Sequence, residues 1–338
     1  MDDLARGPAG DRDAVFRRAA SDHSLLAQLV EKDFWVCWTL RRLFEPPLVE
    51  GMVFKGGTSL SKVWNAISRF SEDIDLTIPR STLSVDDPAE AHSRTKRKDA
   101  VKEVQALVID WCAGPGLGLL RQAFRAVLGD TGWRLTAKGD SIIFDYPTGL
   151  IADRPASTYV QSNVRLELGA LMPVAPWENH EVRPYAASAG SYRMAESVAR
   201  VRVLAGERTF WEKVTLVHAL NSGPADKIGD RKSRHYSDLA MLIEHDIGTR
   251  AMERIDLLPI VAAEKESYYP AKAANYPAAA RGRLKLAPPD EHLALIRSDY
   301  QAMAEMFHGP EPLALNEIVA RLADLERRVA ERLSGAGA

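Results

Sequence analysis

The sequence predicts an α+β protein, with a mixed α/β region first and a mainly helical region after it. Three observations carry that prediction. Short alternating runs bounded by glycine and proline, such as Asp-Ile-Asp-Leu-Thr-Ile at 73–78, are interleaved with segments of helical period up to about residue 205. From Thr209 onward the strand signals cease and helical spacing takes over. The composition, 27% charged and 46% hydrophobic over 338 residues, suits a folded chain of one large or two medium domains. The boundaries read as a loose lead-in at 1–23, a mixed catalytic domain at 24–205 with an insertion at about 81–140, and a helical domain at 206–338.

Residues 1–23 are charged and carry Gly7-Pro8 and Gly10 as breakers. A helix follows at about 24–44, where Leu25, Leu29, Val30, Phe34, Cys37 and Trp38 recur at helical spacing and Pro46-Pro47 ends the run. From Val49 to Pro79 the pattern reads strand (Met52-Val53-Phe54), glycine turn (Gly56-Gly57), helix (about 59–68) and strand (74–78). Residues 81–100 read as a flexible, charged insertion leading into a helix at 101–112, which the glycines at 114–118 break. Strand-like runs stand at Ser141–Tyr146 and Tyr159–Leu168. The chain is loop-rich after Pro173 until Arg208, then helical, ending in a charged helix at about 312–333.

The formal net charge of −2 excludes a strongly basic nucleic-acid binder, so any such contact must come from local patches. Two cysteines, Cys37 and Cys112, provide neither a disulfide framework nor a Cys-x-x-Cys zinc site. The polar opening and the lack of eighteen consecutive apolar residues argue against a signal peptide or membrane span, and the expected location is the cytoplasm.

The chemistry concentrates at 54–78. On a strand, residues i and i+2 share a face, so Asp73 and Asp75 project together while Ile74, Leu76 and Ile78 face a core. Adjacent carboxylates repel, and a divalent cation relieves that repulsion. The Gly56-Gly57 turn lets backbone approach a phosphate, Thr58 and Ser59 offer hydroxyls, and Lys55 adds a cation. The Walker A spacing is absent. A third carboxylate, Glu167, lies on an alternating run with Val164, Leu166 and Leu168. It reads equally as a metal ligand or as half of a surface pair with Arg165. A glycine turn and an acidic pair so close in sequence point to nucleotidyl or phosphoryl transfer.

Lys-Gly-Gly-Thr-Ser-Leu at 55–60, followed by Arg-Phe-Ser-Glu-Asp-Ile-Asp-Leu at 69–76, resembles the first motif of the AbiEii/AbiGii toxin family. Glu31-Lys32-Asp33-Phe34-Trp35-Val36 resembles the helix before that motif. Arg208-Thr209-Phe210-Trp211-Glu212-Lys213 resembles the family's lysine motif, and His235-Tyr236-Ser237-Asp238-Leu239 its later aspartate motif. The resemblance implies a DNA polymerase β-like nucleotidyltransferase domain with a mixed sheet, acting as the toxin of a toxin–antitoxin or abortive-infection system. It implies Mg²⁺ (or Mn²⁺) as cofactor, an NTP as substrate, an RNA acceptor (best a tRNA 3′ end) and a cognate antitoxin. It makes Lys213 a triphosphate ligand and Asp238 a catalytic-centre residue.

The residues alone leave those two roles open. Thr209-x-x-Glu212 fits a capping box, which puts Lys213 in a helix's first turn, where a cation is unfavourable without an anionic partner. On the residues alone Asp238 reads first as a solvated position on a helix whose stripe is Leu239, Leu242 and Ile243. Basic stretches at Lys227, Arg231, Lys232 and Arg234, at 94–98, and at Arg281, Arg283 and Lys285 are candidates for an RNA backbone, with solvated surface as the plain alternative. Ser71, two residues before Asp73, is a candidate regulatory phosphorylation site. The rival readings are NMP transfer to a protein hydroxyl and a non-catalytic nucleotide-binding regulator.

Overall fold

The computed structural model describes all residues except 72, 150–160, 189–196, 226–227, 304–306, 308–311 and 336–338. It forms two units: one of Met1–Val63, Phe70–Asp87 and Asp99–Leu204, and one of Trp64–Arg69, Pro88–Lys98 and Ala205–Ala338. The second unit therefore takes in 64–69 and 88–98, which the sequence reading assigned to the first domain.

The first unit carries α1 (Asp2–Arg6), α2 (Ala9–His23), α3 (Ala27–Phe44), β1 (Val53–Lys55), α4 (Gly56–Lys62) and β2 (Asp73–Thr77). It continues with most of α5 (Arg94–Ala113), α6 (Pro115–Leu128), β3 (Arg134–Lys138), β4 (Ser141–Asp145), β5 (Asn163–Gly169), β6 (Trp177–Val182) and β7 (Ala199–Leu204). The strands form one mixed seven-stranded sheet in the order β3-β4-β5-β2-β1-β7-β6. β2 lies inside it, antiparallel to β1 and parallel to β5. Its alternation does what the sequence requires: Ile74 and Leu76 are buried, while Asp73 and Asp75 remain half-exposed on the other face.

Helix α3 packs against β2, β5 and β7, and an aromatic cluster fills this part of the core. Trp38 and Phe144 both pack edge-on against Phe124, with ring centroids 4.8 Å and 4.7 Å from it. Three consecutive charged residues of α3, Glu31, Lys32 and Asp33, are also buried. A buried charge needs a bonded partner, and each has one. Glu31 Oε1 accepts from the Gly149 N–H at 3.1 Å, and Lys32 Nζ donates to the Gln161 carbonyl at 2.9 Å. Asp33 accepts from the Tyr185 N–H at 2.7 Å and pairs with Lys62 at 2.5 Å.

The lead-in is not loose. Residues 2–6 and 9–23 are helices, and Gly7-Pro8 punctuates them instead of preventing them. Phe16, Ala19 and Ala20 recur on one buried face, and Phe16 meets Phe34 of α3 with ring centroids 5.4 Å apart. Tertiary packing stabilises a helix whose local composition is highly charged. The region around 81–100 is likewise more ordered than expected, with 3-10 turns at Arg80–Leu83 and Pro88–Glu90 and α5 starting at Arg94. Gly114 alone interrupts the helices, since Gly116 and Gly118 lie inside α6. A Cβ on Gly116 would come within 2.2 Å of Trp111, so that glycine makes room for an indole.

Of the strand expected at 159–168, the structure forms Asn163–Gly169; residues 161–162 precede the strand and 159–160 lie outside the described residues. β6 and β7 occupy the stretch expected to be loop-rich. The second unit contains α7 (Gly206–Ser222), α8 (Ser233–Glu244), α9 (Asp246–Glu253), α10 (Leu257–Tyr268), α11 (Tyr276–Ala279), α12 (Asp290–Ala302) and α13 (Leu315–Gly335). α7 is its hub, packing against α8, α9 and α10, with Phe210, Trp211, Val214 and Val217 buried. α13 lays the stripe Ile318, Leu322, Leu325 and Val329 against this core. Among the described residues no helix is long and apolar enough to cross a membrane.

Candidate active site

In the first unit, strand register brings three carboxylates to one place. Asp75 of β2 lies directly opposite Glu167 of β5 and, on its other side, Lys55 of β1. Asp73 lies opposite Arg165, with Arg165 Nε 4.0 Å from Asp73 Oδ1. Directly paired residues present their side chains on the same face, so Asp73, Asp75 and Glu167 open together. The Glu167 carboxyl is pushed up to about 7, by desolvation first and then by the negative charges of Asp75 and Asp73. Glu167 is open to solvent, with Asp75 directly opposite it across the strand register.

The glycine turn is fitted to this acidic face. Gly56 takes φ +78°, and a Cβ there would lie 1.8 Å from Asp75 Oδ2. Only glycine tolerates both the backbone angle and the close carboxylate. Thr58 and Ser59, offered by the sequence as phosphate donors, are both buried, and their hydroxyls are committed to the turn. Thr58 Oγ1 bonds the Asp73 carbonyl, and Ser59 Oγ donates to the Gly56 carbonyl at 2.8 Å. They brace the acidic strand against the turn. Thr58 Oγ1 and Ser71 Oγ are also hydrogen-bonded, at 2.9 Å. The helix expected at 59–68 is only seven residues long, so its dipole contributes little. The weight of the site falls on the carboxylates and Gly56.

The donor set, three carboxylates and no thiol, suits a hard divalent cation. Among the described residues no three acidic, imidazole or thiol groups are already gathered in metal-holding geometry.

In the second unit, Lys213 and Asp238 meet. Lys213 Nζ donates to Asp238 Oδ2 at 2.7 Å, and both residues are buried. The capping box is not formed. α7 begins at Gly206, Thr209 Oγ1 donates back to the Ala205 carbonyl at 3.2 Å, and Glu212 pairs with Arg208 at 3.2 Å. Thr209 therefore lies inside the helix and Lys213 two turns into it, away from the positive end. Its charge is met by Asp238, which also accepts from Arg69, a residue that sequence reasoning did not single out. Burial disfavours the charged Asp238 carboxylate, yet Arg69 and Lys213 outweigh burial and hold it well below the usual carboxylate range. The signal for Arg69 was present in Arg-Phe-Ser-Glu-Asp-Ile-Asp, but an arginine beside an acidic pair reads first as a local partner of those acids.

Of the basic residues, Lys227 lies outside the described residues. Arg231 is exposed, and its backbone N–H donates to Asp299 Oδ1 at 2.6 Å; Lys232 is half-buried at the start of α8. Arg283 is exposed in a stretch where Arg281, Arg283 and Lys285 alternate with buried Leu284 and Leu286.

A family profile described as "Nucleotidyl transferase AbiEii toxin, Type IV TA system" matches residues 38–324. No curated protein matches the sequence. Among solved structures the chain is similar to MenT4, a nucleotidyltransferase toxin from Mycobacterium tuberculosis H37Rv, at 17% identity and a TM-score of 0.45, over 95% of this chain and 88% of that one. The profile spans most of both units and the motifs at 55–60, 69–76, 208–213 and 235–239. The chain belongs to the AbiEii family of nucleotidyltransferase toxins of type IV toxin–antitoxin systems.

Proposed function

We propose that this toxin transfers a nucleoside monophosphate from an NTP to an RNA hydroxyl, best a tRNA 3′ end, using Mg²⁺ or Mn²⁺, and so blocks translation. The observation that carries the reading is the register that sets Asp73, Asp75 and Glu167 on one face beside Gly56. Asp73 and Asp75, with Glu167 beside them, would hold the metal. When bound, it would neutralise triphosphate charge and activate the acceptor hydroxyl. Gly56 leaves Asp75 the space it needs, while Lys55 and the Gly56-Gly57 backbone orient phosphate. Lys213 binds the triphosphate, and Asp238 holds its ammonium in place. The acceptor oxygen forms a bond to the α-phosphorus as the α–β anhydride bond breaks, pyrophosphate leaves with the bonding electrons, and the acceptor proton passes to solvent.

Support for RNA comes from exposed basic stretches on a chain whose net charge is −2. Incubation with each α-labelled NTP, a divalent ion, and total RNA or total protein tests the proposal. Label should enter tRNA-sized RNA and vanish with chelator. Label in protein alone would move the acceptor to a protein hydroxyl, and label in neither would overturn the reading.

Membership of a toxin–antitoxin family provides for an antitoxin partner. Ser71 is a site where such control would act, because phosphate there adds roughly −1.5 to −2 charge beside the acidic strand. Ser71→Glu should reduce transfer at least tenfold, whereas Ser71→Ala should keep most of it. A fully active Ser71→Glu protein would remove this role.

A further inference from the structure

Arg165 stands beside the carboxylates of the first unit, yet only loosely paired with them. On β5 it lies two residues before Glu167 and so shares that residue's face. The register sets it opposite Asp73, as Glu167 is set opposite Asp75. Its Nε is 4.0 Å from Asp73 Oδ1, beyond hydrogen-bond length, and the two side chains remain 38% and 34% exposed. An ion pair so long and so well solvated adds little to stability. Its charge nevertheless reaches across the face. Burial and the charges of Asp75 and Asp73 raise the Glu167 carboxyl, and Arg165 works against them.

A cation in that place opposes the ligand that an acidic face by itself attracts. Carboxylates hold a divalent ion, and a guanidinium beside them repels it. Relief of carboxylate repulsion alone would favour a close, bidentate pair, which a separation of 4.0 Å is not. The arrangement suits an anionic ligand that arrives with the metal. A polyphosphate is such a ligand, since its negative charge exceeds the charge of one divalent ion. The planar fork of arginine matches a pair of phosphate oxygens. Turning it from Asp73 to a phosphate costs little, because the contact given up is long and exposed.

We infer that Arg165 is a further ligand of the NTP polyphosphate, resting loosely against Asp73 until a metal-bound nucleotide offers its phosphate oxygens. The inference rests on the reading of Asp73, Asp75 and Glu167 as the metal site. Lys55, opposite Asp75 on β1, gives the same face a cation on the other side of β2.

Two equilibrium titrations of the full chain test it, with thermal melts run in parallel: Mn²⁺ alone, and an α,β-methylene NTP analogue at saturating Mg²⁺. Arg165→Gln should move the two ligands in opposite directions. Mn²⁺ should bind about threefold more tightly, because a repelling charge is gone. The analogue should bind about tenfold more weakly, because a charge-assisted bond to phosphate is lost. The inference requires weaker analogue binding without weaker Mn²⁺ binding. A residue that merely orients Asp73 predicts that both weaken, and an idle surface pair predicts that neither changes; either result overturns it. Arg165→Lys keeps the charge without the fork, so Mn²⁺ binding should stay within about twofold of wild type while analogue binding falls about threefold. Should Arg165→Gln fail to fold, this variant decides, and wild-type analogue binding by it overturns the inference. A tRNA titration without nucleotide separates the two sources of phosphate. Arg165→Gln should bind tRNA within about twofold of wild type; weakened tRNA binding with unchanged analogue binding gives the guanidinium to the acceptor and overturns the assignment. Asp73→Asn and Asp75→Asn check the metal site itself. If both bind Mn²⁺ like wild type, the metal assignment fails and the inference falls with it; if both lose Mn²⁺ while Arg165→Gln binds both ligands normally, only the role of Arg165 fails.

Discussion

Asp73 and Asp75 are half-exposed and contribute charge more than packing. Asp73→Asn and Asp75→Asn should each lower nucleotidyl transfer at least a hundredfold, with melting temperature within a few degrees of wild type, because a metal ligand is lost and a volume is kept. Full transfer by either variant would exclude the metal role. Gly56 poses the opposite case. Alanine there meets both a φ of +78° and a carboxylate oxygen at 1.8 Å, so Asp75 or the turn must move. Gly56→Ala should cost about 1–2 kcal/mol of stability and remove most transfer. Gly118→Ala is the control, since nothing lies within 4 Å of the added methyl. It should leave transfer unchanged and the helix slightly more stable.

Two elements set the positions of the functional groups. β2 earns its place between β1 and β5 by burying Ile74 and Leu76, and the same pleat turns Asp73 and Asp75 to the other face. α7 carries Lys213 and, further along, anchors the chain near residue 285. His218 Nδ1 accepts from the Lys285 N–H at 3.0 Å, and Asn221 Nδ2 donates to the Leu286 carbonyl at 2.9 Å. The acceptor role requires a neutral imidazole at Nδ1, and burial pushes the His218 pKa below its ordinary value. Its folded pKa is depressed, so below about 6.5 the unfolded chain binds more protons. The stability it contributes is present above that pH and is lost as pH falls toward the folded value. Melting temperature should therefore fall between pH 7 and pH 5, and His218→Gln should make that decline shallower, as followed by circular dichroism. His235, held lower still by burial and by Lys213, would leave a residual acid slope. An unchanged slope in His218→Gln would show that other groups govern acid sensitivity.

For the molecule as a whole, a net charge of −2 gives no general attraction for RNA. Arg231 and Arg283 stand exposed on the second unit, with Lys232 half-buried beside Arg231. Replacing Arg231, Lys232 and Arg283 together by neutral residues should weaken RNA labelling about tenfold or more and flatten its dependence on salt, because fewer counterions are released. Binding of the NTP analogue should change much less, since the carboxylate face and Lys213 are untouched. Equal losses for both ligands would place these residues in the nucleotide site instead.

By itself the sequence determined the order of mixed and helical regions, the pairing of Asp73 with Asp75 and the family motifs. Each of those depends on local period or on residues a few positions apart. It missed the helices at 2–6 and 9–23, whose charged residues mask narrow apolar faces that tertiary packing completes, α2 against α3 and α1 against α6. It also missed β6 at the sheet's edge, where little burial leaves little alternation to read, and β7, although Ala199, Val201 and Val203 alternate with Arg200 and Arg202. The commitment of the Thr58 and Ser59 hydroxyls to their own turn, the opposition of Glu167 to Asp75, and the fork of Arg69 on Asp238 were decided only by tertiary structure. They join groups 3 to 169 residues apart, or turn on whether a hydroxyl faces its own backbone or an open site. Neither is encoded in spacing; both follow from the register and packing that bring distant polar groups out of water together.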